Sequence, residues 1–132
     1  MNKVITISEA SSIALHAMVL IAKSKNPINT TKVSKLSSSS KHHVAKVLQT
    51  LVRHGFLMSK RGPSGGFLLS KQPKVITFYD VYTAIEGPIK TKICPFDKPT
   101  CPFGNCIFDN VLQKMTNTFV DYLKSQTIDM HV

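Results

Sequence analysis

Two short apolar runs enclose a glycine- and proline-rich centre in FLMSKRGPSGGFLLS, residues 56–70, and this stretch constrains the fold more than any other. Gly62, Pro63, Gly65 and Gly66 at such density force a tight reversal, so the two runs pair as a β-hairpin. Upstream, three segments carry helical periodicity. Residues 8–25 place Ile13, Ala17, Leu20 and Ile21 on one stripe, with Ser8 as N-cap and Asn26 and Pro27 as the stop. NTTKVSKLS predicts a short second helix starting near Asn29 or Thr30, with Val33 and Leu36 three apart. SSSKHHVAKVLQTLVRHG predicts a third, with Val44, Val47, Leu48 and Leu51 inward and Gly55 at its C-terminal end.

Charge sharpens the reading. From Glu9 to Asp80 the chain has no carboxylate between them, while the same interval holds eleven lysines and arginines. A one-signed segment of this kind attracts polyanions. The front of the third helix, residues 38–43, is wholly polar or basic, and its back half is apolar. A recognition helix has this division, because its N-terminal residues must meet phosphates and base edges in the major groove. Three helices followed by a basic-tipped hairpin is the winged helix-turn-helix plan, with Arg61 placed to enter a minor groove.

All three cysteines fall in CPFDKPTCPFGNC, residues 94–106. An odd number of clustered thiols argues for ligands or redox-active groups rather than structural disulfides. Thiolates are soft ligands that suit iron-sulfur clusters and zinc, and an irregular loop containing Pro95, Pro102 and Gly104 can wrap a bound group. Lys90, Lys92 and Lys98 would lower the thiol pKa values and offset the anionic charge of a thiolate-bound cluster. Beyond the loop, residues 107–125 repeat apolar positions at Ile107, Val111, Leu112, Met115, Phe119, Val120 and Leu123. A stripe that long on a terminal helix points to a partner helix, most simply its own copy.

RGPSGGFLLS, then ITFYDVYTAIEGP, then a three-cysteine loop and a terminal amphipathic helix together resemble the bacterial winged-helix regulators typified by IscR and NsrR. These are iron-sulfur cluster and nitric-oxide-responsive regulators, and the resemblance runs over about residues 7–124. It implies a homodimer on a palindromic double-stranded DNA operator, with Cys94, Cys101 and Cys106 holding an iron-sulfur cluster of the 2Fe-2S or 4Fe-4S kind. Ser38, Ser40, Lys41 and His42 fall where that family's recognition helix meets DNA, with Ser39 between them, and Arg61, Gly62 and Pro63 fall on its wing. His43 stands where many members have an aromatic residue, and Ala45 where IscR-like members have an acidic one, so the resemblance does not carry over an operator sequence. Six residues separate Cys94 from Cys101 and four separate Cys101 from Cys106, an uneven spacing compared with those relatives. For a fourth ligand the resemblance offers Asp109 and His16, but Asp109 reads first as a cap for the last helix and His16 as an interface residue, so the fourth ligand stays open.

The expected fold is mainly α with a small β-hairpin: a winged helix-turn-helix domain over residues 1–87, a cysteine loop over 88–106, and a dimerisation helix and tail over 107–132. With 42% apolar residues the chain can build one core. No stretch reaches the roughly 18 uninterrupted apolar residues of a membrane span, and MNKVITISEASS has no secretory pattern, so a cytoplasmic protein is expected. No catalytic motif or phosphate-binding loop stands out, and neither an enzyme nor a small-molecule substrate is expected. The expected function is a redox-, nitric-oxide- or cluster-sensing transcription repressor or activator. A cluster-free thiol or zinc-dependent regulator is the alternative.

Overall fold

The first three helices each begin on a side chain that accepts an otherwise unpaired backbone amide. The computed structural model describes residue 5, residues 7–90 and residues 102–132. Helix α1, Glu9–Lys23, starts where Ser8 Oγ accepts the Ser11 amide at 3.1 Å, and it buries Ile13, Ala14, Ala17, Met18 and Ile21. Helix α2, Thr30–Ser37, starts where Asn29 Oδ1 accepts the Lys32 amide at 2.9 Å. Only Val33 of its apolar pair enters the core; Leu36 stays 55% exposed. Helix α3, Lys41–Arg53, is capped by Ser40, and Val44, Val47, Leu48 and Leu51 are buried as their spacing predicts. It stops where Gly55 takes φ +82°, a left-handed conformation that glycine adopts without strain. Truncating fully buried Leu48 or Leu51 to alanine would cost about 2–5 kcal/mol.

Strands β1, Leu57–Lys60, and β2, Gly66–Leu69, pair antiparallel with Leu57 opposite Leu69 and Lys60 opposite Gly66. The hairpin is anchored at its far edge. Ile28 and Phe67 exchange both backbone hydrogen bonds, at 3.1 and 2.8 Å, so the α1–α2 connection adds a bridge to β2. A Cβ on Gly66 would lie 2.6 Å from the Ile28 carbonyl oxygen, so this approach requires glycine.

Helix α4, Phe78–Glu86, opens on a reciprocal capping box in which Thr77 Oγ1 accepts the Asp80 amide and Asp80 Oδ2 accepts the Thr77 amide. Helix α5, Val111–Ser125, packs on α4 through Leu123, Thr116 and an edge-to-face pair of Tyr82 and Phe119, centroids 5.3 Å apart. The chain then turns back. Gln126 O accepts the Phe78 amide, Ile128 N–H donates to Ile76 O, and Ile128 is 0% exposed within the same core as Ile13 and Leu48.

The terminal helix begins later than its apolar repeat indicates. Ile107 and Phe108 precede it, because Asp109 and Asn110 take φ of +51° and +59° and interrupt helical geometry. Asn110, not Asp109, occupies the N-cap position, and it makes no side-chain capping bond. The cap expected at Asp109 is therefore absent.

Candidate nucleic-acid interface and cysteine loop

The tip of α3 is built by a serine web. Ser38 closes α2 in the left-handed conformation at φ +56°, and Ser40 Oγ accepts the His43 amide at 3.1 Å to open α3. Between them Ser34 Oγ donates to the Ser39 carbonyl, and Ser39 Oγ donates to Glu9 Oε1 at 2.6 Å. Ser34, Ser39 and Ser40 thus shape the turn through distinct bonds, and Ser38 through its backbone conformation. Lys41 and His42, the first two residues of the helix, are exposed along with Ser38 and Ser40. The helix N-terminus itself presents unpaired amides and a positive dipole end, which adds to the attraction for phosphate.

Glu9 comes to this tip from another element. Its Oε1 also lies 3.4 Å from His43 Nδ1, in the first turn of α3. The Ser39 hydroxyl holds the Glu9 carboxyl below the ordinary glutamate range against an opposing effect of desolvation, and the His43 ring adds a lesser lowering.

Arg61, Gly62 and Pro63 form the exposed tip of the hairpin, where Gly65 N–H donates to Gly62 O at 2.9 Å. The base of the hairpin is tied to the end of α3: Phe56 N–H donates to Leu51 O, Ser70 N–H to Phe56 O, and Ser70 Oγ to Gly55 O. Lys71 Nζ sits 5.3 Å from the Phe56 ring centroid. These bonds orient the wing against α3 from below, away from the tip.

Cys94 and Cys101 lie outside the described residues. Cys106 is an exposed free thiol in the turn before α5, and its carbonyl accepts the Asp109 amide at 2.9 Å. Among the described residues no three His, Cys, Asp or Glu side chains gather into a metal-binding group. His16 is exposed on α1 with Nδ1 at 2.7 Å from the Ser12 carbonyl. A carbonyl can only accept, so that nitrogen carries the proton and Nε2 is left as the free ring position. His16 borders an apolar groove of about 450 Å³ formed with Leu15, Val19, Leu20, Leu36 and Phe78.

The root of the cysteine loop is fixed. Glu86, the last residue of α4, accepts hydrogen bonds from Ser8 Oγ and Ser11 Oγ at the start of α1. A carboxylate is unfavourable at the C-terminus of its own helix and favourable at the N-terminus of another, and this arrangement resolves the conflict. Gly87 then leaves the helix at φ +83°.

Residues 7–132 match Rrf2, described as iron-dependent transcriptional regulators. The chain belongs to the Rrf2 family. It is 26% identical over 125 residues to an HTH-type transcriptional regulator of Aquifex aeolicus, covering 92% of this chain and 87% of that one. It is 24% identical over 118 residues to IscR of Pectobacterium atrosepticum, covering 89% and 68%. CymR of Bacillus subtilis is 29% identical over 85 residues, which span 63% of this chain and 62% of CymR. The solved structure of CymR, the global cysteine regulator of that organism, superposes with a TM-score of 0.76 over 95% of this chain and 94% of its own, at 23% identity.

This Rrf2 protein is accordingly a DNA-binding transcription regulator of winged-helix fold, in a class that is not enzymatic. Among its described residues no helix is long and apolar enough to cross a membrane. Two functional-looking residues escape a reading of the Rrf2 sequence by motif. Glu9 signals itself only as the first carboxylate of a basic segment, and Ser11 looks like any small helix residue, although it is fully buried on Glu86.

Proposed function

We propose that this Rrf2 protein is a cytoplasmic, dimeric regulator whose grip on its operator is set by an iron-sulfur cluster held by Cys94, Cys101 and Cys106. The observation that carries the DNA-binding half is the polar tip of α3, capped by Ser40 with Lys41 and His42 exposed. Ser38, Ser39, Ser40, Lys41 and His42 meet the major groove, and Arg61, Gly62 and Pro63 meet the neighbouring minor groove or its phosphates. The winged body of residues 1–87 reads DNA, residues 88–106 carry the ligands, and residues 107–132 dimerise. Exposed Ile107, Val111 and Met115 supply the apolar face for a second copy, which sets half-site spacing.

Three thiolates within thirteen residues fit a cluster by softness and count, and exposed Cys106 can donate without unfolding α5. When bound, the cluster supplies reversible electron exchange and an iron site reactive toward nitric oxide or oxygen. The chain's own part is mechanical. Glu86 ties the loop's root to Ser8 and Ser11 at the start of α1, so tension in the loop is felt by the element that also carries Glu9. The two ends of that link bias the population of dimers able to bind DNA.

Anaerobic purification with iron, sulfide and zinc analysis and a visible spectrum tests the cofactor. A brown protein with matched iron and sulfide supports it; a colourless one after reconstitution leaves a thiol- or zinc-dependent regulator, the reading that the likeness to CymR favours. Replacing Cys101 by alanine should change operator affinity or its response to nitric oxide while thermal melting of the winged body is unchanged. Unaltered binding and response would refute the cluster's role.

A further inference from the structure

Glu9 is a carboxylate on a surface whose electrostatics argue against one. The next acidic residue is Asp80, eleven cations lie between them, and the Glu9 side chain is 62% exposed beside the tip of α3. Near a phosphate backbone such a charge repels, so its presence at this spot lowers raw affinity for any duplex. What it provides in return is geometric. Glu9 Oε1 accepts from Ser39 Oγ at 2.6 Å and stands 3.4 Å from His43 Nδ1, and so ties α1 to both the turn before α3 and the first turn of α3. Ser39 is otherwise held by its carbonyl, which accepts from Ser34 Oγ, and by a longer 3.4 Å contact of its hydroxyl with the Ser37 carbonyl. The turn holds one left-handed residue, Ser38, and the bonds of Ser34, Ser37 and Ser40 within it are local, so the Glu9 bonds supply an anchor from outside the turn.

We propose that Glu9 is a positioning residue for DNA reading: it presets the α2–α3 turn through Ser39 and restrains the His43 ring, exchanging non-specific affinity for site selectivity. The inference rests on the DNA-binding reading of α3 given above. The two contributions separate chemically. A glutamine at this position keeps an oxygen that Ser39 can donate to and discards the charge, whereas an alanine discards both. The carboxylate also competes with phosphate for His43, so losing it frees that ring to contact the backbone without regard to sequence.

The test uses the full-length protein and a duplex enriched from a random-sequence pool, with an unrelated duplex of equal length as the non-specific probe. E9A should weaken binding to the selected duplex by about fivefold, the scale of one exposed hydrogen bond to a charged group, while binding to the unrelated duplex holds or strengthens. E9Q should restore most of the affinity for the selected duplex, which loss of general packing would not allow, while sharing with E9A the gain on the unrelated duplex. S39A should reproduce the E9A loss on the selected duplex but not its gain on the unrelated one, because S39A keeps the carboxylate beside His43, and the double variant should bind the selected duplex no more weakly than E9A. Thermal melting of each variant controls for folding.

Equal selectivity in wild type, E9A and S39A would overturn the inference, as would additive effects in the double variant. K41E separates this from failure of the underlying reading. If K41E abolishes binding to the selected duplex while E9A is silent, only the role of Glu9 falls. If K41E is also silent, α3 is not the reading element and both ideas fall.

Discussion

Ser11 Oγ donates to Glu86 Oε1 at 2.5 Å, joining the first turn of α1 to the last residue of α4 across 75 positions of sequence. Ser11 is 0% exposed, and Ser8 completes the arrangement by accepting the Ser11 amide and donating its own hydroxyl to the same carboxylate oxygen. The EGP stretch at residues 86–88 thereby acquires a physical purpose. Glu86 locks to α1, Gly87 turns at positive φ, and Pro88 begins a segment that cannot continue the helix.

S11A removes one of two serine donors to Glu86 in a buried setting. Unfolding in urea should show a loss of about 1–2 kcal/mol. An unchanged midpoint would mean that Ser8 alone satisfies the carboxylate.

Glu9 gives a pH signature. Its carboxyl is held below the ordinary glutamate range, chiefly by the Ser39 hydroxyl, so the folded state favours the ionised form more than the unfolded state does. The stabilisation is present above the unfolded pKa and disappears as pH falls through the folded one, on the acid side of the glutamate range. Titration of the Glu9 side-chain carbonyl by carbon NMR should place its midpoint low in wild type and higher in S39A. A midpoint unmoved by S39A would assign the shift to other causes.

Operator binding should weaken steeply with salt, because several cations release phosphate counterions on binding. K41A should reduce the slope of log affinity against log salt by about one unit, and R61A likewise. A slope unaffected by either change would remove that side chain from the phosphate contacts.

Ile128 lies in the tail yet is 0% exposed, with its amide bonded to Ile76 O at 3.0 Å. I128A should destabilise the protein by about 2–4 kcal/mol in one cooperative transition with the winged body. A separate early transition confined to the tail would show instead that the tail is an independent appendage.

Much of the winged body is legible residue by residue. The inward positions Val44, Val47, Leu48 and Leu51, the cap Ser8, the start of the second helix at Asn29 or Thr30, and the reversal at Gly62 and Pro63 follow from period, capping chemistry and backbone restriction. Leu36 and the run at Ile107 and Phe108 were harder. Apolar spacing says that a residue can lie on a stripe; it does not say that another element arrives to cover that stripe, and Leu36 and Ile107 stay 55% and 69% exposed. Periodicity is equally blind to Asp109 and Asn110, whose positive φ delays α5 until Val111.

The amino-acid sequence by itself determined the elements and their chemistry: three helices, a glycine-bent wing, an acid-free basic body and a loop of three thiols. Each of these depends on neighbours within a few positions, where propensity, capping and charge density act directly. Tertiary structure alone decided which distant groups meet. Glu9 reaches Ser39 across 30 positions, Glu86 reaches Ser11 across 75, and Ile128 returns to Ile76 and the core of α1. Such contacts form only after the hydrophobic faces have packed and brought their flanking polar groups within a hydrogen bond's length, and short-range patterns carry no record of that distance.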